Sequence, residues 1–360
     1  MAQALSIAVL PGDGIGPEVT DAALRVLATA AAQFGFQVEV TSHSIGWAAV
    51  ESTGDPLPPE TKAAALRADA VFLGAVGDPR ANALPPELRP EAGLLGLRKL
   101  LDCYANLRPA RILDSLIESS PLRPDRIRGT DFLIVRELSS GLYYGKPRSV
   151  KRGGAEPEAV NTLRYSKSEI RRVAVVAFEA ARSRQGRVVS VDKANVLETS
   201  QLWREVVTQV GTEFSDVGLE HMLVDRAAME LVLRPSYFDV ILTQNLFGDI
   251  LSDEAGAITG SIGLLASASL GTGPGLYEPV HGSAPDIAGK GIANPLAAIL
   301  SMGMLLSHSG GRGEAAQAIE RAVEKVLESG IRPPDLAQPG ESLSGTEEVA
   351  EEVVRCLANA

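Results

Sequence analysis

A chain of 360 residues is long for a single core, so two domains sharing an interface are expected. Its formal net charge of −11 and pI near 5.0 repel nucleic acid and anionic membrane, and an anionic ligand would need a local arginine cluster. The two cysteines, Cys103 and Cys356, match no metal or redox spacing, and there is neither a basic leader nor a long apolar run, so a soluble protein of the reducing cytoplasm is expected.

The first element is announced by AVLPGDGIGPEV, residues 8–19, an apolar strand running through a glycine-rich turn into a helix. A dinucleotide fingerprint starting at Gly12 would need glycines at 12, 14 and 17, but Pro17 stands at the last position and Gly16 comes one residue early. Nor does FGFQVEV, residues 34–40, end a second strand on the acid that such a fold turns toward a ribose. Pro17 suits a helix start, and a plain strand-to-helix joint competes evenly with a functional turn. Further along, ADAVFLGAV (68–76), DFLIVREL (131–138), GRVVSVDK (186–193) and FDVILT (238–243) alternate with amphipathic stretches such as EIRRVAVVAFEAARSR (169–184). That alternation predicts an α/β architecture with buried strands and no internal repeat. Two Pro/Gly-rich stretches, 76–93 and 270–295, read as long loops, which in compact domains usually serve function. ANPLAAILSMGMLLSHS then resumes a helix, and Ser344 with Glu347 predicts a capping box ahead of the last one.

Charged residues in apolar surroundings mark candidate chemistry. In QNLFGDILSDEAG (244–256), a helix opening near Phe247 would set Asp249 and Asp253 one turn apart on one face, either as a solvated helix start or as oxygen ligands for Mg²⁺ or Mn²⁺. Asp225 interrupts EHMLVDRAAMELVL, read as one helical stretch, and by itself suits a surface or capping charge. Lys193 stands at the carboxyl end of a strand, where open α/β sheets keep their sites, though such a lysine is commonly just solvated. Of Arg98, Arg108 and Arg136, the last closes an apolar strand and needs an anion to pair with. Tyr143 is an acid catalyst or a packed aromatic.

In chain order PGDGIGPEV, PEAGLLGLRK, YANLRPA, IVRELSSGLYYGKPR, SVDKANVLE, TQNLFGDILSDEA and EPVHGSAPDIAGKGIANP resemble the isocitrate/isopropylmalate dehydrogenase family of β-hydroxyacid oxidative decarboxylases over nearly the whole chain. The last two motifs are highly specific in this order. The resemblance implies a two-domain isopropylmalate dehydrogenase-like α/β fold that is not a Rossmann fold, with a cofactor-binding domain (1–103 plus 257–360) and a substrate and dimerisation domain (104–256). It implies oxidation of a secondary alcohol by NAD followed by loss of CO₂. Asp249 and Asp253, with Asp225 of a second subunit, would hold Mg²⁺ or Mn²⁺, and Asp225 would also border the substrate. Lys193, also from the second subunit, would be the general base and Tyr143 the acid, while Arg98, Arg108 and Arg136 grip the substrate's carboxylates.

By the same resemblance the cofactor lies against the loop His281, Gly282, Ser283, Ala284, Pro285, Asp286, Ile287 and on to Asn294. Ile15 touches the nicotinamide side, and the loop from Gly77 to Glu91 closes over it. The Asp286 carboxylate suits two ribose hydroxyls and repels a 2′-phosphate, which implies NAD over NADP. Leu94 and Leu95 would pack on the isopropyl group of 3-isopropylmalate, the substrate expected on the way to leucine. Burying three carbons at about 0.8 kcal/mol each gives roughly 2.4 kcal/mol, near sixtyfold, and disfavours a third carboxylate. Isocitrate, homoisocitrate, malate or tartrate as substrate, or an inactive regulatory subunit of the family, are the alternatives. Ser139 and Ser140 stand where Thr and Gly are frequent in the family.

Overall fold

The computed structural model describes residues 4–153 and 156–359, and the chain divides into two units. The first comprises Met1–Cys103, Ile112–Pro124 and Gly256–Ala360; the second comprises Tyr104–Arg111 and Asp125–Ala255. Ile112–Pro124 therefore departs from the boundary expected at 104–256. Hydrogen bonds carry it into the first unit, since Ser119 Oγ donates to Leu336 O (3.0 Å) and Arg332 Nη2 to Ser115 O (2.9 Å).

In the first unit β1 (Leu5–Gly12), β2 (Val38–Ser42), β3 (Ala70–Ala75), β11 (Ala266–Gly271) and β12 (Gly275–Pro279) lie in the order β2-β1-β3-β12-β11. All neighbours run parallel except β11 against β12. β3 is buried at all six positions, as a parallel strand covered on both faces must be. α1 (Gly16–Phe34) buries Val19, Ala22, Ala23, Val26, Leu27 and Ala30, a stripe at helical spacing, with Pro17 in its first turn and Gly35 closing it at φ 66°. α2 (Trp47–Thr53), α3 (Pro59–Arg67), α4 (Pro90–Leu100), α10 (Leu296–His308), α11 (Gly313–Glu328) and α12 (Thr346–Ala358) complete the unit.

Two expectations fail here. Region 270–295 is not all loop, because GLYEP pairs as β12 with the adjacent β11 and with β3, about 200 residues earlier; its short, Gly- and Pro-bearing sequence carries no local strand signal. The capping box also does not form. The N-cap of α12 is Gly345, Ser344 is buried with its N–H bonded to Arg332 O (2.8 Å), and Glu347 pairs with Arg25.

In the second unit β4 (Cys103–Arg111), β5 (Asp131–Glu137), β8 (Arg187–Asp192), β9 (Gly218–Leu223) and β10 (Val240–Thr243) lie in the order β4-β5-β10-β8-β9, with β4 antiparallel to β5 and the rest parallel. Its helices are α5 (Pro124–Ile127), α6 (Lys167–Arg182), α7 (Glu198–Gly211), α8 (Val224–Leu233) and α9 (Asn245–Thr259). A separate antiparallel pair, β6 (Ser149–Lys151) and β7 (Glu158–Val160), is exposed throughout. EHMLVDRAAMELVL is not one helix: EHML completes β9 by pairing with β8, and Asp225 falls in the first turn of α8. Among the described residues no helix is long and apolar enough to cross a membrane.

Candidate active site

Along β4 and β5 the antiparallel register sets Asn106 opposite Arg136, so Asn106, Arg136 and, two residues on, Arg108 share one face. Arg136 is 1% exposed, and a guanidinium so buried must be matched by acceptors. Its Nε and Nη2 donate to Asn245 Oδ1 (3.1 and 2.8 Å) and its Nη1 to Asp249 Oδ1. Asn245 passes the tie onward through Nδ2 to Ser140 O (2.9 Å). Tyr143, in a 3₁₀ turn after β5, donates its hydroxyl to Asp249 Oδ2 (2.7 Å). Arg108 donates to Asn106 Oδ1 and Ser252 Oγ (both 2.6 Å), with Nη1 3.7 Å from Asp249 Oδ1 and 4.0 Å from Asp253 Oδ1.

The structure thus gathers Arg108, Arg136, Tyr143, Asp249 and Asp253 at the head of α9, which opens at Asn245, two residues before Phe247. Burial first, then the bond to Asp249, pushes the Tyr143 hydroxyl up to about 12, so it holds its proton at neutral pH. Burial likewise lifts the Asp253 carboxyl; Arg108 opposes this and the like charge of Asp249 adds to it. A cation between the two carboxylates would relieve that repulsion, and their all-oxygen donor set fits a hard divalent ion. Among the described residues no group of three or more His, Cys, Asp or Glu is placed to hold a metal ion.

Lys193 and Asp225 form a second group. Asp192, the buried last residue of β8, is gripped by Arg204 (2.9 and 2.8 Å) and by Ala194 N (2.9 Å), which fixes where Lys193 leaves the strand. Lys193 Nζ donates to Asp225 Oδ1, and this bond holds the Asp225 carboxyl below the usual range.

In the first unit Glu91, Leu94, Leu95 and Arg98 recur along α4 at i, i+3, i+4 and i+7, one face of the helix. Arg98 is buried and paired with Glu278 Oε1 (Nη2 2.7 Å, Nε 3.3 Å). Ile15 is buried, and its N–H donates to Ser283 O (2.8 Å). Gly77 takes φ 130°, with Ser283 Oγ 3.2 Å and Glu91 Oε1 3.7 Å from where a Cβ would sit. In the loop beyond, Ala284 is held in the left-handed region at φ 38°, a strain that tends to mark functional loops. Gly282 has open space where a Cβ would be, Pro285 and Asp286 are exposed, and Ile287 is half-buried. Asp286 has no hydrogen bond or ion pair among the described residues. Burial lowers the His281 imidazole's pKa, and Nε2 is buried without a partner among the described residues. The Asn294 side chain is occupied at both ends, by Asp335 (3.0 Å) and by Leu296 N (3.0 Å), so it braces the loop's exit.

Sequence reasoning missed Asn106, Asn245, Gly248, Ser252 and Glu278. Gly248 carried a signal, since a glycine inside a helix-forming stretch is costly unless packing demands it. A Cβ there would lie 2.6 Å from Arg136 Cγ and 2.8 Å from its Cβ. Overpacking at about 1–3 kcal/mol outweighs the roughly 1 kcal/mol that Ala gains over Gly inside a helix. Gly248→Ala is therefore expected to lower the urea midpoint, and a midpoint equal to the parent's would mean that Arg136 has room to yield.

The chain matches the family model described as isocitrate/isopropylmalate dehydrogenase over residues 6–353. It is 56% identical over 352 residues to a 3-isopropylmalate dehydrogenase of Halalkalibacterium halodurans, covering 98% of this chain and 97% of that one. It is 57% identical over 350 residues to that of Bacillus subtilis, covering 96% and 95%. Among solved structures, an isocitrate dehydrogenase from Methylococcus capsulatus superposes with a TM-score of 0.88 at 38% identity, covering 98% of this chain and 99% of that one. With the family model spanning all but the ends and relatives more than half identical along nearly the full length, the chain belongs to the isocitrate/isopropylmalate dehydrogenase family.

Proposed function

We propose that the chain catalyses the NAD⁺-dependent oxidative decarboxylation of (2R,3S)-3-isopropylmalate to 4-methyl-2-oxopentanoate and CO₂, a step of leucine biosynthesis, as a cytoplasmic homodimer. The observation that carries this reading is the convergence of Arg108, Arg136, Tyr143, Asp249 and Asp253 in a chain more than half identical to relatives bearing that name. Arg98, Arg108 and Arg136 bind the substrate's two carboxylates by charge-assisted hydrogen bonds. Lys193, as the neutral amine, takes the proton of the C2 hydroxyl, and Tyr143 returns a proton to the carbon that loses CO₂. Leu94 and Leu95 exclude water around the isopropyl group and leave a third carboxylate unsolvated. Asp249 and Asp253, joined by Asp225 of a second copy, would hold Mg²⁺ or Mn²⁺. Ile15, Gly77, Glu91, the loop from His281 to Ile287 and Asn294 would hold the dinucleotide, with Asp286 toward the ribose hydroxyls. When bound, the dinucleotide supplies the hydride acceptor and the cation a positive charge beside the reacting oxygen.

The surface of the second unit supports the homodimer. Asp225, Met229, Val232 and Leu233 recur on α8 at i, i+4, i+7 and i+8, and the last three are among the exposed large apolar side chains. Ile250 beside Asp253, Val196 beyond Lys193, and Val150 and Val160 on the β6–β7 pair are exposed as well. An apolar stripe of this spacing needs cover. A second copy laid on it carries its own Asp225 and Lys193 toward the Asp249–Asp253 pair.

The test is NADH formation with 3-isopropylmalate, isocitrate, malate and tartrate in turn, with Mg²⁺ or Mn²⁺ and then with chelator. Turnover is expected with 3-isopropylmalate, at a kcat/KM roughly sixtyfold or more above isocitrate, and is expected to vanish with chelator. Preference for another hydroxyacid would overturn the substrate assignment. No turnover of any of the four would favour the regulatory-subunit reading.

A further inference from the structure

The turn that imitates a dinucleotide fingerprint is occupied by the chain's own backbone. Gly12 and Gly14 take φ 75° and 56°, and a Cβ on them would lie 1.8 Å from Ala75 O and 2.0 Å from Ser283 O. At the centre sits Asp13, 5% exposed, whose carboxylate accepts three backbone N–H groups. Oδ2 takes Gly77 N (2.8 Å) and Trp47 N (2.9 Å), and Oδ1 takes Ala48 N (3.0 Å). Its own N–H donates to Ala75 O (2.8 Å). Gly46 must lack a side chain to admit it, since a Cβ would stand 2.3 Å from Oδ2.

One buried carboxylate therefore ties the Gly12–Gly16 turn to the first turn of α2 and to Gly77, where the segment departs that runs through two 3₁₀ turns to the start of α4 at Pro90, so that the loop expected from Gly77 to Glu91 ends on a helix. The same turn meets the 281–287 loop through Ile15 N and Ser283 O, 2.8 Å apart. We propose that Asp13 is a positioning residue for dinucleotide binding, acting through the two loops that its turn holds in register. The proposal rests on the reading of those loops as the cofactor's.

The experiment compares the parent with Asp13→Asn and Asp13→Ala as full-length protein. NAD⁺ and 3-isopropylmalate are varied separately, and hydrogen exchange is followed by mass spectrometry with and without NAD⁺. Asn keeps the volume but presents an amide donor to N–H groups that need acceptors, so it informs even where Ala fails to fold. Losing a charge-assisted bond at this hinge is expected to raise KM for NAD⁺ about tenfold or more, with KM for 3-isopropylmalate and saturated kcat within about threefold. Exchange should quicken across 77–91 and 281–287 and not across α9. Equal rises in both KM values, an unchanged KM for NAD⁺, or exchange altered only in α2, would overturn the proposal. A parent that makes no NADH from 3-isopropylmalate would sink the functional reading instead, and the exchange pattern would still decide what Asp13 does.

Discussion

Lys193→Met is expected to lose about 10²–10⁴-fold in kcat, since methionine keeps the stem of the side chain and removes the proton acceptor proposed for the hydroxyl. Arg136→Ala is expected to be as damaging, because it strips the proposed contact to a substrate carboxylate and takes the buried guanidinium from Asn245 Oδ1 and Asp249. The informative experiment mixes the two. If a second copy lends Lys193 and Asp225 across a two-fold axis, a mixed dimer collects both lesions at one site and none at the other. With half of all dimers mixed and one intact site in each, exchange should restore up to about a quarter of parental activity. Mixed dimers that form and stay dead would mean that Lys193 serves its own chain.

Replacing Asp286 by Lys together with Ile287 by Tyr is expected to turn cofactor preference from NAD⁺ to NADP⁺. A carboxylate that meets the 2′-phosphate as a like charge becomes a cation that meets it as a partner. Losing one charged hydrogen bond to NAD⁺ and gaining one to NADP⁺, at about 1.5–3 kcal/mol each, shifts the ratio of kcat/KM values by roughly 10²–10⁴. Both positions lie on a loop with open space around Gly282 and Gly289, and Asp286 braces nothing among the described residues, so the fold should tolerate the change. Steady-state rates with each dinucleotide decide it. An unaltered ratio would place the adenosine elsewhere.

The five apolar runs that read as strands, at the positions of β1, β3, β5, β8 and β10, show their character in apolar composition, whereas the fully buried β12 carries a glycine, a glutamate and a proline in five residues. β4 escaped because CYANLRPAR carries two arginines, an asparagine and a proline, and its identity as a strand rests on partners from Asp131 to Glu137. β9 likewise carries no strand signal of its own: GLEHML is held as a strand by its pairing with β8, which leaves Asp225 in the first turn of α8. For the site, residue types and chain order marked Arg136, Tyr143, Asp249 and Asp253. Their mutual geometry was not legible, because it depends on which residue of β4 faces Arg136 and on a glycine that lets α9 settle against it. The opening turn was the hardest stretch to read. Its glycines obey a steric demand set by Ala75 and Ser283, far along the chain, which no local pattern encodes.

The strand order of the first unit has a consequence for synthesis on the ribosome. β12 lies between β3 and β11, yet it begins about 200 residues after β3 ends. At about 5–20 residues per second, β3 leaves the ribosome roughly 10–40 s before the strand that covers its open edge. Throughout that interval AVFLGA, buried at every position in the finished unit, presents unpaired N–H and C=O groups to any passing strand. The second unit, nearly continuous in sequence, can close before the first does. The nascent chain is therefore most exposed to aggregation in its earliest segment, and its last third ends that exposure.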